Sequence, residues 1–304
     1  MMRIGIDLGG TKIEGALVRA NGEIEHAFRM PTPQGDYLAT LKVVAQLVEK
    51  LDCLVGQILP IGMATPGTVS RVTGKMKNCN STCLNGRALK EDLADMLHRD
   101  IRLANDADCF VLSEAIGGAG EGVDILFGVI LGTGVGGGIC YRGELFQGAH
   151  GIAGEWGHNP MPPLIDTQKP EIVGKRACYC GRVDCIETYL SGPAFERTYL
   201  LATSEELSAA AIVEKAVAGD GRATAHLDRY QENLAAALAT VINLLDPDVI
   251  VLGGGMSQID SLYAEVPKRW QKYVFSDECT TALRKPVHGD SSGIRGAAWL
   301  WPDC

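Results

Sequence analysis

Three groups of residues in this chain have the types and spacing for chemistry. The first is Leu103-Ala104-Asn105-Asp106-Ala107-Asp108. A short apolar run, Ile101 to Leu103, leads into the Asn-Asp pair, and a helix-like segment, Ala107 to Ile116, follows. A carboxylate at the end of a strand points out of the sheet, so Asp106 is a candidate general base, with Asn105 orienting a substrate hydroxyl beside it. The same pair also suits plain capping of the next helix.

The second group is a pair of glycine turns. Arg3 to Leu8 alternates like a strand, Thr11 to Arg19 resumes as a second one, and Asp7-Leu8-Gly9-Gly10-Thr11-Lys12 joins them. Gly9 and Gly10 let backbone N–H groups approach a phosphate. Thr11 adds a hydroxyl, Lys12 adds positive charge, and Asp7 could hold Mg²⁺ through water. The spacing is not that of a P-loop, and a strand follows where a P-loop needs a helix. A plain hairpin turn is the alternative. Ile125 to Leu131 then runs into Gly132-Thr133-Gly134-Val135-Gly136-Gly137-Gly138 and a further strand. The G-x-G-x-x-G match there is not a dinucleotide fingerprint, again because a strand follows. Two strand–glycine turn–strand units suggest a duplicated domain clamping one phosphate chain. A third turn, Gly253-Gly254-Gly255, follows the buried run Val249 to Leu252 and opens a helix to about Phe275. It suits close approach of a base or ribose, or equally a tight strand–helix connection.

The third group is Cys178, Cys180 and Cys185, three cysteines within eight residues. In a chain whose thiols should be reduced they read as metal thiolates, and His158 is the nearest good fourth ligand upstream. A closed four-ligand site is structural, so the Zn²⁺ would hold a loop and perform no chemistry.

The elements that must position these groups alternate strand and helix. Helical periodicity runs over Asp36 to Leu51, Ser204 to Ala218 and Asp220 to Leu245, and a short amphipathic helix closes the chain from Ser292. Ile58 to Met63 reads as a buried strand, and Asn78 to Gly86 is a polar stretch that suits a polyol or a solvated loop. The pattern implies an α/β fold. With 304 residues the chain is long enough for two domains. The net charge of -9 argues against nucleic acid or an anionic membrane surface as partner. No signal peptide is visible, because Met1-Met2-Arg3 leads straight into a strand-like run, so a cytoplasmic protein is expected.

In combination these stretches resemble the ROK family of bacterial sugar kinases (repressor, open reading frame, kinase). The matching segments are Asp7 to Lys12, Asn105-Asp106-Ala107, Gly132 to Gly138, Gly154-Glu155-Trp156-Gly157-His158, Cys178 to Glu187 and Val251 to Gly255. Asn80-Ser81-Thr82, Trp156 to Pro160 and the ending His288 to Gly293 look most like the family's fructokinases, including the manno(fructo)kinase of enteric bacteria. The resemblance implies a two-domain actin-like (hexokinase- or ribonuclease H-like) ATPase fold with an interdomain cleft. The expected domains are 1–116 and 117–290, with 291–304 packing back on the first. It implies Asp106 as catalytic base, and Asn80, Asn105, Glu155, His158 and Glu187 on the sugar. Asp7, Gly9, Gly10, Thr11, Lys12, Gly132, Thr133, Gly134 and Gly253 to Gly255 would serve ATP and Mg²⁺, and His158, Cys178, Cys180 and Cys185 would hold Zn²⁺. One imidazole nitrogen of His158 would bind metal while the other contacts a sugar hydroxyl. The resemblance also suggests a homodimer.

Two positions depart from the family pattern. Asp184 replaces a glycine, and Asp tolerates positive φ better than most residues. Cys83 stands where the nearest fructokinases carry an aromatic. The activity expected is ATP-dependent phosphorylation of the fructose 6-hydroxyl, with mannose or glucose as further substrates. The alternatives are a kinase of an N-acetylated hexosamine, whose acetamido group needs an apolar recess, and a non-catalytic sugar-sensing regulator. Such regulators carry an N-terminal helix-turn-helix domain, and here the phosphate turn begins at residue 7.

Overall fold

The structure, a computed structural model, describes residues 2–165 and 175–302. It is α/β and divides into two compact units. Unit 1 is Met1–Gly122, Gly138–Ala153 and Val287–Cys304, and unit 2 is Val123–Gly137 and Gly154–Pro286.

Unit 1 is built on a five-stranded sheet of order β3-β2-β1-β4-β7. β1 (Met2–Leu8), β2 (Lys12–Arg19) and β3 (Ile24–Pro31) form an antiparallel meander, since the turns between them are too short for a crossover. α1 (Tyr37–Val55) carries the chain over the sheet, so that β4 (Ile61–Thr65) returns parallel to β1. The Asp36 carboxylate starts α1 by accepting from the Ala39 N–H at 3.0 Å. Leu41, Val44, Leu47, Val48 and Leu51 recur at helical spacing and are buried against the sheet. The hairpin of β5 (Thr68–Val69) and β6 (Met76–Lys77) and the helix α2 (Leu89–Leu97) lead to β7 (Ile101–Asn105), parallel to β4. α3 (Asp106–Ala115) follows β7 without a loop. β4 starts later than the sequence suggested, because Ile58 is 78% exposed and the strand begins only after Pro60.

The last helix, α9 (Ser292–Trp299), lies against β1, β4 and α3. Glycines permit the approach. A Cβ on Gly5 or Gly62 would stand 2.2 or 1.7 Å from the carbonyl oxygens of Ile294 and Ala297, and one on Gly296 would stand 1.7 Å from that of Cys109. Glu114, fully buried in α3, ties down the turn before α9. Its carboxylate accepts from the backbone N–H of Val287 at 3.0 Å and of His288 at 3.1 Å, from Ser292 Oγ at 3.3 Å and from the Ala119 N–H at 3.0 Å.

The second five-stranded sheet has the order β10-β9-β8-β11-β12. Its strands are β8 (Ile125–Leu131), β9 (Val135–Tyr141), β10 (Glu144–Leu145), β11 (Val249–Gly253) and β12 (Ala282–Arg284), with β8, β11 and β12 parallel. Unit 2 adds α4 (Glu187–Leu190), α5 (Gly192–Thr203), α6 (Ala209–Val217), α7 (Gly221–Leu245) and α8 (Ser261–Trp270). Leu234 to Ala239 of α7 is buried all round.

Two helix expectations need correction. The helix expected over 204–218 is α6 alone, Ala209–Val217: Ser204, left-handed at φ +61°, ends α5 before it, and Ser208 caps α6. The helix expected after Ser257 and to about Phe275 is α8, which begins at Ser261 behind a 3₁₀ turn, Gly255–Gln258, and stops at Trp270. Among the described residues no helix is long and apolar enough to cross a membrane.

Candidate functional site

In unit 1 the candidate residues collect at the carboxyl ends of three adjacent parallel strands. Asp7 is level with Ala64, and Thr65 is level with Asn105, so β1, β4 and β7 deliver Asp7, Thr65 and Asn105 to one edge. Ligands of open α/β sheets bind at this edge. Asp106 is the first residue of α3. Asn105 performs the capping that its type allowed: its Oδ1 accepts from the Ala107 N–H at 3.0 Å, and its Nδ2 is 3.5 Å from the Thr65 carbonyl. The Ala107 N–H also reaches Asp106 Oδ1 at 2.8 Å. Capping and a candidate base therefore coexist, on neighbouring residues. Burial, and then the carboxylate of Glu14, raise the pKa of Asp7 above its ordinary 3.8, against the opposing charge of Lys12. The buried Cys109 thiol is held well above its usual range by burial first, then by Asp108, Asp7 and Asp106.

The first glycine turn is closed by its own backbone. Gly9 donates its N–H to the Lys12 carbonyl at 3.0 Å, and Thr32 Oγ1 donates to the Gly9 carbonyl at 2.7 Å. Gly9 therefore contributes room, since a Cβ there would stand 2.9 Å from the Lys12 oxygen. Gly10 and Thr11 sit exposed at the tip beside Lys12, and Gly10 faces Ser81 Oγ. Asn80 is exposed in the polar stretch. Asn85 braces that stretch, accepting from the Cys79 N–H at 2.9 Å and donating to the Cys79 carbonyl at 3.0 Å. Cys83 is half-buried against the unit 1 core.

In unit 2 four motif segments make one assembly. The Gly132 N–H donates to the Gly134 carbonyl at 3.0 Å, closing the second turn, and Gly192 at the start of α5 donates to the Gly132 carbonyl at 2.9 Å. Gly254, at φ +79°, lies so close to this turn that a Cβ would stand 2.5 Å from the Leu131 oxygen. The two turns, Gly132 to Gly134 and Gly253 to Gly255, thus touch at the carboxyl ends of β8 and β11. Val135, next along, is held from both sides. Its N–H donates to Glu187 Oε2 at 2.9 Å, and a Cβ on Gly157 would stand 2.0 Å from its carbonyl oxygen. Trp156 Nε1 donates to the Gly136 carbonyl at 3.0 Å. Half-buried Glu155 opens the 3₁₀ turn Trp156–His158.

The ligating atoms of His158, Cys178, Cys180 and Cys185 all lie within 4.8 Å of one another. Cys180 Sγ is 3.7 Å from Cys185 Sγ, and Cys178 Sγ is 3.6 Å from His158 Nδ1. A tetrahedral zinc site with Zn–S of about 2.3 Å and Zn–N of about 2.0 Å has ligand–ligand edges of about 3.5–3.8 Å. Donor set and spacing both fit Zn²⁺. Asp184 sits at φ +56°, in the region that favours glycine. Its Oδ1 accepts from the Arg176 N–H at 2.9 Å and from Tyr189 Oη at 3.0 Å, which compensates for the backbone it must adopt.

Two residues that sequence reasoning passed over join the site. Tyr179 Oη lies 3.0 Å from His158 Nε2, the nitrogen expected to meet a sugar hydroxyl. Partial enclosure, then the carboxylates of Glu187 and Glu155, push this phenol up to about 12. Arg197 of α5 lines, with Thr133, Cys178, Tyr179, Glu187 and Ser191, a cavity of about 250 Å³. The position of Tyr179 between two metal-type cysteines is the signal that could have found it. Arg197 carried none, since its place depends on α5.

A family model, "ROK family", matches residues 3–304, and the chain belongs to that family. It is 38% identical over 299 residues to an N-acetyl-D-glucosamine kinase of Photobacterium profundum, covering 98% of this chain and 99% of the relative. Among solved structures it is similar to a ROK hexokinase from Thermus thermophilus, with a TM-score of 0.85, 27% identity and coverage of 98% and 97%. It is also similar to a ROK family glucokinase from Streptomyces griseus in complex with glucose and AMPPNP, with a TM-score of 0.79, 26% identity and 99% of each chain covered. The fold is the actin-like ATPase fold that the resemblance implied.

Proposed function

We propose that the protein is an ATP- and Mg²⁺-dependent kinase that phosphorylates the 6-hydroxyl of an N-acetylated hexosamine, N-acetyl-D-glucosamine first. The observation that carries this reading is the full-length identity of 38% to an N-acetyl-D-glucosamine kinase. Fructose, expected from Asn80-Ser81-Thr82 and the His288 to Gly293 ending, gives way to it. Cys83 supports the change, because a small side chain in place of the fructokinase aromatic leaves room for an acetamido group. The bound AMPPNP of the similar glucokinase, an ATP analogue, supports ATP as phosphoryl donor.

In this reading Asp106 accepts the proton of the 6-hydroxyl as that oxygen attacks the γ-phosphate. Asn105, its Oδ1 engaged in capping, offers an amide N–H to the sugar. Asn80, Glu155, His158 and Glu187 take the remaining hydroxyls. Gly10, Thr11, Lys12 and the turn Gly132-Thr133-Gly134 supply donors to the phosphates, with Gly9 giving the chain room to turn. Gly253, Gly254 and Gly255 admit the nucleoside. Asp7 would hold Mg²⁺, which neutralises charge on the transferring phosphoryl group. His158, Cys178, Cys180 and Cys185 would hold Zn²⁺, which would fix the loop leading into α4 and Glu187.

The test is initial-rate phosphorylation with ATP over N-acetylglucosamine, N-acetylgalactosamine, N-acetylmannosamine, fructose, mannose and glucose. The expected result is a kcat/KM for one N-acetylated sugar at least about tenfold above that for fructose, the discrimination that one well-made pocket contact gives. Highest turnover on fructose would overturn the substrate, and no turnover on any sugar would overturn the kinase.

A further inference from the structure

We infer that Asp184, Tyr189 and Arg176 form a clasp that aims Glu187, which makes them positioning residues for the sugar. The inference rests on the hexosamine-kinase reading for its substrate but on geometry for its residues. α4 is a single turn, Glu187–Leu190, and Ile186 before it supplies no side-chain cap. So short a helix takes its direction from partners outside it. Buried Arg176 supplies two. Its Nη1 donates to the Thr188 carbonyl at 2.7 Å, and its guanidinium lies 3.8 Å from the centroid of the Tyr189 ring. Asp184 supplies the third: one oxygen, Oδ1, accepts from Tyr189 Oη at 3.0 Å and from the Arg176 N–H at 2.9 Å. The two residues that follow Glu187 are thus both tied to Arg176, and the second is tied to Asp184 as well.

Asp184 stands where the family pattern has glycine, and its φ is +56°. Glycine adopts that φ without strain but offers no acceptor. The carboxylate therefore adds a link that the turn itself does not need. The metal-type residues would hold the loop as far as Cys185, and the clasp holds what comes after it. Between the two lies Glu187, whose Oε2 accepts from the Val135 N–H at 2.9 Å. A rotation of α4 that moved this carboxylate by about 1 Å would weaken both that bond and its hold on a sugar hydroxyl. The Val135 amide is thus a gauge of where Glu187 points, readable with no substrate present.

Asp184→Gly removes the acceptor without straining the backbone. Tyr189→Phe removes the hydroxyl and keeps the ring over Arg176. Asp184→Asn keeps an acceptor oxygen in place. The experiment compares the three with the parent chain, each purified with zinc present. The Val135 amide of Asp184→Gly and of Tyr189→Phe should exchange its hydrogen about fivefold faster or more than in the parent, and that of Asp184→Asn within about twofold of it. In kinetics the first two should raise KM for N-acetylglucosamine about fivefold or more with kcat within about threefold, and Asp184→Asn should restore the parent KM. Zinc content should stay at the parent's value throughout. Unchanged Val135 exchange, an unchanged sugar KM, Asp184→Asn behaving like Asp184→Gly, or loss of zinc would each overturn the clasp. A parent chain inactive on every N-acetylated sugar would overturn the substrate reading instead, and Val135 exchange would still decide the clasp.

Discussion

Glu187 does two jobs with two oxygens. Oε2 accepts from the Val135 N–H, and Oε1 lies beside Cys178 Sγ at 3.9 Å. The carboxylate thus connects the metal loop to the glycine turn that begins β9. A Cβ on Gly134 would stand 2.6 Å from Glu187 Oε2, so Gly134→Ala should push the carboxylate away. The expected outcome is a rise in KM for ATP of about tenfold or more with sugar binding also weakened, checked by titrating each substrate at saturation of the other. Asp7 gives a prediction with a sign. Its folded pKa is raised, so the folded chain holds this proton more tightly than the unfolded chain. The stability from that preference is present below the ordinary value of 3.8 and is lost as pH rises through the folded value. Without Mg²⁺, Asp7→Asn should melt above the parent at pH 7, the gap closing as pH falls toward 4, and it should lose activity. Melting curves across pH check the first part, and a variant that melts below the parent at pH 7 would contradict it.

At the scale of elements, α9 and the metal loop are held by different means. α9 is seated by glycines, so Gly62→Ala and Gly296→Ala drive a methyl into backbone and should each destabilise the fold by about 3 kcal/mol or more, measured by urea unfolding. Glu114→Ala, which strands buried N–H donors of the turn before α9, should cost a similar amount. Among its described residues the cysteine loop carries two isolated bridges, Ala177 to Val183 and Pro160 to Cys185, and a metal ion would serve as its core. One zinc per chain is expected. Its removal by chelator should abolish sugar binding while leaving the sheet of unit 1 folded, which hydrogen exchange resolved by segment can check.

These elements also show where sequence was legible. The glycine turns, the Asn105-Asp106 step and the cysteine run were all readable, because each is a local pattern whose chemistry depends on near neighbours. At Asp184 the family resemblance, which has glycine there, left room for a positive φ that Asp tolerates, and the residue adopts it. Glu114 was not readable, because its partners Val287, His288 and Ser292 lie 173 to 178 residues away and a helical glutamate ordinarily faces water. The bond from Val135 to Glu187 spans 52 residues and was hidden for the same reason. α5 was missed although its cap was written in the sequence. Ser191 caps the helix, and proline is tolerated in a first turn.

For the whole molecule, two sheets each present candidate residues at the carboxyl ends of parallel strands: Asp7, Asn105 and Asp106 in unit 1, and the turns at Gly132 and Gly253 in unit 2. This repetition suits the proposed reading, in which backbone donors and a metal ion, and not bulk charge, would attract a polyanion to a chain of net charge -9. The central claim is that Asp106 is the base of a phosphoryl transfer to an N-acetylated hexosamine. Asp106→Asn keeps the size and the start of α3 while removing the proton acceptor. The most direct measurement is its kcat with ATP and N-acetylglucosamine, beside its affinity for the sugar and its zinc content. The expected result is a fall in kcat of about 10²–10⁴-fold with sugar affinity and zinc retained. A variant that keeps kcat within about threefold of the parent would contradict the assignment of Asp106.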